Sequence, residues 1–310
     1  VMNMDGLHTR YEDTTAIYEE IAASPREEAT AIMQRIYAAP QKPELIAKKV
    51  EEVKKGGGIA AVSFVPQNAK RMAPLAVEAG ADMIVVQGTV VTARHSSKSL
   101  KGLVFADLIK DLDVPVLVGN TVSYEVTKEL MQQGIAGVMV GVGPGSVCTS
   151  REVLGIGIPQ VSATIECAAA RDDYFKETGK YIPIITDGGI RTGGDVCKSF
   201  AAGANAVMIG SPFAKTEEAP AKGFHWGMAA WHDSLPRGTR INMGTEYSLH
   251  QLLYGPSSRT DGTLNLVGAL QICMGYVGAE NIREMNKARM VYAPAIKTEG
   301  KIYQQAGLGS

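Results

Sequence analysis

The feature that most constrains this chain is a rhythm. Short runs of apolar, largely β-branched residues end in Gly, Asn or Asp and recur roughly every 20 to 45 residues, separated by longer stretches of helical period. That is the pattern of successive βα units around a parallel sheet. Strands are predicted near Ile59–Val65, Met83–Gln87, Val114–Gly119, Gly137–Val140, Ile182–Asp187 and Ala206–Gly210. Helices are predicted near Pro66–Ala79, Lys101–Asp111, Ser123–Gln133, Val161–Thr178 and Gly194–Ala202. Several stop at a Gly-containing pair such as Ala79-Gly80 or Gln133-Gly134, where glycine supplies a left-handed cap.

This repeat suits an α/β fold of the (β/α)₈ TIM-barrel type, which typically needs about 250 residues. Six clear strands and a fragment at Val1–Asn3 leave the count short, and the chain starts on Val. Strand 1 and most of strand 2 are therefore expected to belong to a segment ahead of residue 1; an incomplete or rearranged barrel, with sheet edges to cover, is the alternative. All 310 residues read as one catalytic barrel domain without a regulatory insertion. Glu12–Pro43, highly charged and weakly periodic, is expected to form one or two surface helices. Residues 212–264 hold both Trp, three of the five His and a Gly/Pro-punctuated stretch, and are expected to form a lid or flap beside the barrel mouth.

Charge narrows the ligand class. Lys and Arg total 31 against 32 Asp and Glu, so a net charge of −1 gives no long-range attraction for nucleic acid or anionic lipid, and a small molecule is the better partner. The four cysteines lie far apart in sequence, with no CxxC or Cys/His ligand spacing, which fits a reducing, cytoplasmic setting. No apolar run approaches the roughly 18 to 20 residues that span a bilayer, and the N-terminus lacks a signal-peptide layout, so a soluble protein is expected.

Two constellations carry chemistry. The first is Gly141-Val-Gly-Pro-Gly-Ser-Val-Cys-Thr-Ser-Arg-Glu-Val, immediately after a strand, where barrel enzymes keep their sites. Three glycines at alternate positions let the backbone turn tightly and free its amides and carbonyls for a ligand or ion. Cys148 on that loop, near backbone N–H dipoles, is the candidate nucleophile; Cys167, Cys197 and Cys273 lie in helical patterns and read as packing. The second is Asp187-Gly-Gly-Ile at one strand end and Gly210-Ser-Pro at the next. Two adjacent Gly-rich turns at strand positions 7 and 8 form the phosphate site of many barrel enzymes, and Asp187 suits a ribose diol. Flavin-dependent barrels use the same two turns, so this pair does not by itself identify the phosphorylated ligand.

Gly143-Pro-Gly-Ser-Val-Cys-Thr-Ser, Asp187-Gly-Gly-Ile, the Gly210-Ser pair and Met274-Gly-Tyr-Val-Gly-Ala resemble the IMP dehydrogenase/GMP reductase family over residues 1 to about 290. The resemblance is nearest to the bacterial IMP dehydrogenase-related branch that lacks CBS domains, whose insertion point Glu12–Pro43 would occupy. It implies oxidation of IMP to XMP, a step of guanine nucleotide biosynthesis: Cys148 adds to purine C2, hydride leaves to NAD, and the thioimidate is hydrolysed. Ser146, Gly189, Gly210 and Ser211 would hold the phosphate, Asp187 the ribose, and Gly227, Met228 and Ala229 the base. Carbonyls of Gly143, Gly145 and Cys148 would hold K⁺, Ser150 takes the place of a Thr that positions water, and Asn120 and Gly141 would line the nicotinamide side. A homotetramer or homo-octamer is implied.

Departures are also legible. Gln87 stands where the family usually has an Asp facing the cofactor, and Met243 where it often has Gln or Glu. The flap lacks an Arg-Tyr pair, leaving Arg237 or Arg240 to act on water, although arginine is a poor base unless its surroundings disfavour the cation. His225 is within reach of the phosphate and His232 lies in the lid, while His8, His95 and His250 read equally well as structural polars. The alternatives are a GMP reductase running an NADPH-dependent deamination, a catalytically idle purine-nucleotide-binding regulatory paralogue and, more remotely, a flavin-dependent barrel.

Overall fold

A computed structural model of the chain describes residues 1–93, 102–227 and 240–291. The apolar runs form seven parallel strands of a (β/α) barrel, hydrogen-bonded in sequence order: β1 (Met2–Asn3), β2 (Ala61–Phe64), β3 (Met83–Gln87), β4 (Val116–Thr121), β5 (Gly137–Val140), β6 (Ile184–Asp187) and β7 (Ala206–Met208). Among the described residues β1 bonds only to β2 and β7 only to β6. Each strand lies within a few residues of its predicted place.

Strand side chains alternate between two cores. Val85, Leu117 and Met139 fill the inside of the curled sheet, together with Ile185 and Met208. Ile84, Val86, Val118, Val138 and Ile184 point outward into the larger core beneath the helices. The register Gly119↔Met139↔Ile185 shows why residue 119 is glycine: a Cβ there would meet Met139 Cβ at 2.5 Å. The neighbouring backbone at Met139 O and Cα stands as close, 2.5 Å and 2.9 Å, so the strand pair itself leaves no room for a side chain at 119.

The outer layer contains α4 (Pro66–Glu78), α5 (Phe105–Lys110), α6 (Tyr124–Gln132), α8 (Gln160–Thr178) and α9 (Gly193–Ala201), with the short α7 (Ser150–Leu154) between β5 and α8. α5 begins later than the predicted helix and is shorter. Ser123 Oγ caps α6 by accepting from Val126 N at 3.4 Å, and Thr192 with Asp195 forms a capping box at α9, each cap contributing about 1 kcal/mol.

Glu12–Pro43 forms two helices, α1 (Thr15–Ala23) and α2 (Ala29–Tyr37), and they are more than a solvated surface. Leu7, Ile21, Met33, Ile36 and Tyr37 make a small apolar core of their own, against which Trp226 packs. A further helix, α3 (Pro43–Lys55), was missed in the sequence although Pro at its start, Leu45, Ile46 and Val50 on one face and Lys54-Lys55 in its last turn mark it. Within residues 212–264, the described parts give α10 (Ser211–Ala214), the antiparallel pair β8 (Phe224–His225) and β9 (Ile241–Asn242), and α11 (Leu249–Tyr254). α12 (Leu266–Val277) and α13 (Ile282–Met285) follow and cover α9. No helix among the described residues is long and apolar enough to cross a membrane.

Candidate active site

The carboxyl ends of the strands converge on a cavity of about 250 Å³ whose lining includes Asn3, Gln87, Asn120, Cys148 and Asp187. The loop that follows β5 is shaped by what it passes. Gly141 has φ +140, and a Cβ there would fall 2.3 Å from Asp187 O and 2.7 Å from Gln160 Oε1. Gln160 Nε2 donates to Val140 O at 2.7 Å, tying the start of α8 to the end of β5. Gly143, at φ +77, sits over Arg151, whose Nε donates to Val142 O (3.2 Å) and whose Nη2 donates to Ile158 O (2.7 Å). Arg151 thus clamps both sides of the cysteine loop. Sequence reasoning assigned it no role, because its partners are backbone carbonyls seven and nine positions away.

Within the loop Cys148 N donates to Gly145 O at 3.1 Å, a turn that leaves the half-buried thiol against the cavity, with Sγ 3.0 Å from Ser150 Oγ. The other cysteines differ as expected. Burial pushes the Cys167 thiol up to about 12, and Sγ accepts from Thr127 Oγ1 at 3.1 Å. Burial, reinforced by neighbouring Cys273, also pushes Cys197 up to about 12.

Asp187 ends β6 and is held by amides from two other strands: Gln87 Nε2 donates to its Oδ2 at 2.7 Å and Asn120 Nδ2 at 2.8 Å. Burial raises the carboxyl above its ordinary range, and these two hydrogen bonds oppose the rise. Gly188 and Gly189 follow at φ +89 and +76, with Pro144 packed on them: added Cβ atoms would lie 3.0 Å and 3.1 Å from its ring. Pro144 therefore seats the cysteine loop on the Asp187 turn. Ser146 Oγ lies 2.7 Å from Ser211 Oγ, which lies 3.3 Å from His225 Nδ1. Burial holds His225 below the usual imidazole value, favouring the neutral ring. Ser146, Gly189, Gly210 and Ser211 fall outside the cavity lining, but Gly145 and Gly188 belong to it, so the serine pair stands next to the cavity.

Other residues are spoken for. Asp5 also lines the cavity, yet it accepts from Val65 N (2.6 Å), Asn68 Nδ2 (2.6 Å) and Gln41 Nε2 (3.1 Å), fastening the end of β1 to β2. Arg240, one of two arginines expected to act on water, donates instead to Ser24 Oγ (2.7 Å), Ser24 O (2.9 Å) and Ile21 O, with its guanidinium 5.1 Å from the Phe224 ring centroid. It holds the end of α1. Gly227 lies just past β8, while Met228, Ala229, His232, Arg237 and His95 lie outside the described residues.

The carbonyls of Gly143 and Cys148 accept no hydrogen bond from described residues, and that of Gly145 accepts one, leaving a lone pair. Backbone carbonyls of this kind are the donor type that a weakly hydrated monovalent cation takes. Gly88, Thr89 and Gly141 also line the cavity; the amides of Gly88 and Gly141 are taken by Gly119 O (2.8 Å) and Thr121 O (3.0 Å).

Comparison with known proteins identifies the family. A family model described as the IMP dehydrogenase/GMP reductase domain matches residues 22–233. The chain belongs to the IMP dehydrogenase/GMP reductase family. An uncharacterized oxidoreductase of Mycolicibacterium smegmatis is 40% identical over 296 residues, covering 93% of this chain and 79% of that protein. The inosine-5'-monophosphate dehydrogenase of Aquifex aeolicus is 40% identical over 249 residues, covering 75% of this chain and 49% of that enzyme. Among solved structures, an IMP dehydrogenase/GMP reductase-like protein from Corynebacterium glutamicum superposes with a TM-score of 0.86 at 35% identity, over 94% of this chain and 78% of the other. The family assignment rests on both sequence and shape, as the glycine-rich cysteine loop and the paired turns implied.

Proposed function

We propose that this family member is an oxidoreductase of the IMP dehydrogenase type, oxidising IMP to XMP with NAD⁺. The observation that carries the reading is that the one cysteine on a glycine loop and the carboxylate suited to a ribose open on the same cavity. The phosphate would lie on Ser146, Ser211 and the glycine turns at 189 and 210, placing the purine toward Cys148. Cys148 Sγ then forms a bond to C2, and the C2 hydride departs with its electron pair. NAD⁺, when bound along Gly88, Thr89, Asn120 and Gly141, supplies the hydride acceptor. Ser150, whose Oγ is 3.0 Å from Sγ, is assigned to hold the water whose oxygen replaces sulfur at C2, regenerating the thiol. Carbonyls of Gly143, Gly145 and Cys148 would hold K⁺ and so fix the loop. Gly227 and Met228 are assigned to the base and Arg237 to water activation. The assembly is expected to be a homotetramer or homo-octamer, measurable by light scattering.

The test is direct. Purified protein given IMP and NAD⁺ in potassium buffer is expected to form NADH and XMP in equal amounts, more slowly in sodium. Oxidation of NADPH with GMP, and none of the first reaction, would replace the proposal with a GMP reductase. Tight IMP binding with neither reaction would mark a regulatory protein.

A further inference from the structure

The carboxylate of Asp187 is loaded asymmetrically. Both side-chain amides reach Oδ2, Gln87 at 2.7 Å and Asn120 at 2.8 Å, while neither is bonded to Oδ1, and Asp187 lines the cavity. Gln87 has little freedom to do otherwise. Its backbone ends β3 in register with Gly119, and the chain just beyond is laced to the neighbouring strand by Gly88 N to Gly119 O (2.8 Å) and Asn120 N to Gly88 O (3.0 Å). Its amide also faces Asn120 Oδ1 at 3.3 Å, so the Nε2 protons serve a three-residue network joining β3, β4 and β6. A buried carboxylate whose one oxygen takes two donors is fixed in rotation, and its second oxygen keeps its lone pairs for a ligand hydroxyl.

We infer that Gln87 is a positioning residue that turns Asp187 Oδ1 toward the hydroxyl pair of a ribonucleotide and thereby makes the site discriminate ribo- from 2'-deoxyribonucleotides. This rests on the proposed reading that the cavity takes a purine nucleotide with Asp187 at the sugar, and it adds a role for a side chain expected to face the cofactor. The amide is this chain's departure from the Asp that the family usually has there: Gln87 donates to Asp187, whereas a carboxylate at 87 in the same pose would push one of the two acids to hold a proton. A ligand lacking the 2'-hydroxyl leaves Oδ1 partly unpaired, and an unmet charged acceptor costs about tenfold or more in affinity.

Direct binding by calorimetry of IMP and 2'-deoxy-IMP to wild type, Gln87→Met and Gln87→Glu tests this without depending on turnover. Wild type is expected to prefer IMP by at least about tenfold. Gln87→Met, of similar shape but without donors, is expected to weaken IMP by about tenfold and leave 2'-deoxy-IMP within about twofold, erasing the preference. Gln87→Glu is expected to restore part of the preference at low pH, where a protonated carboxyl can donate, and lose it at high pH. Equal losses for both nucleotides would reduce Gln87 to packing and overturn the inference, as would a variant that retains the wild-type ratio. If wild type binds neither nucleotide, the proposed function fails first, and this inference falls with it.

Discussion

Cys148 and Asp187 have different parts in the proposed reaction, so their substitutions separate. There the thiol serves bond making and adds little to ground-state affinity, so Cys148→Ala is expected to abolish NADH formation while IMP binding stays within about tenfold by calorimetry. Turnover near wild type in that variant would exclude a thiol mechanism. For Asp187 the raised carboxyl sets the sign of a pH effect. The folded state holds this proton more tightly than the unfolded chain, so its stabilising contribution is full below the ordinary Asp value near 4 and is lost as pH rises through the folded value. Asp187→Asn is therefore expected to melt no lower than wild type at pH 8, with the difference between them shrinking toward pH 4, while losing IMP binding; a variant much less stable at pH 8 would contradict this. The place of Cys148 on a loop beside the cavity was legible in the sequence because the alternate glycines around it, just after a strand, mark such a loop. The contact between Gln87 and Asp187 was not, since it joins residues 100 positions apart on strands separated by two others, and only the curl of the sheet brings them together.

At the level of elements, strand positions were readable because β-branched runs between glycine-bounded helices have one economical arrangement, and all seven appear where the pattern placed them. The missed α3 shows the opposite case. Its apolar face is only Leu45, Ile46 and Val50 in a lysine- and glutamate-rich stretch, so its period was faint beside the strands. Inside the barrel, glycine has a packing duty no composition reveals: Gly119 leaves room for the backbone and Cβ of Met139 on the next strand. Gly119→Ala is expected to destabilise the fold by about 2 kcal/mol or more in urea unfolding, because Cβ would meet backbone as well as side chain. A second change, Met139→Ala, keeps the Cβ, O and Cα that the new methyl would meet and is expected to recover none of the loss; a clear recovery would show that the outer part of the Met139 side chain shares that space.

Considered as a whole molecule, the chain carries a small second core on its main one. α1 and α2 enclose Ile21, Met33 and Tyr37, and two fasteners tie them to the β8–β9 pair: Arg240 on the end of α1, and Trp226 Nε1 donating to Tyr37 Oη at 2.9 Å. Arg240→Ala is expected to raise amide exchange across residues 15–37 by about tenfold or more while barrel strands stay protected, since this unit opens separately. Uniform loss of protection would instead make it part of one cooperative fold. The paired serines beside the cavity, with a neutral imidazole behind them, have a consequence for the solution behaviour of the whole protein. A dianionic ligand seated there would be held, as far as these described residues go, by hydroxyl and imidazole dipoles that dissolved ions mask little, and a net charge of −1 provides no attraction from a distance. Raising sodium-free ionic strength from about one Debye length of 30 Å to one of 8 Å should therefore leave nucleotide affinity nearly unchanged, a tolerance that a lysine- or arginine-lined cradle would not have.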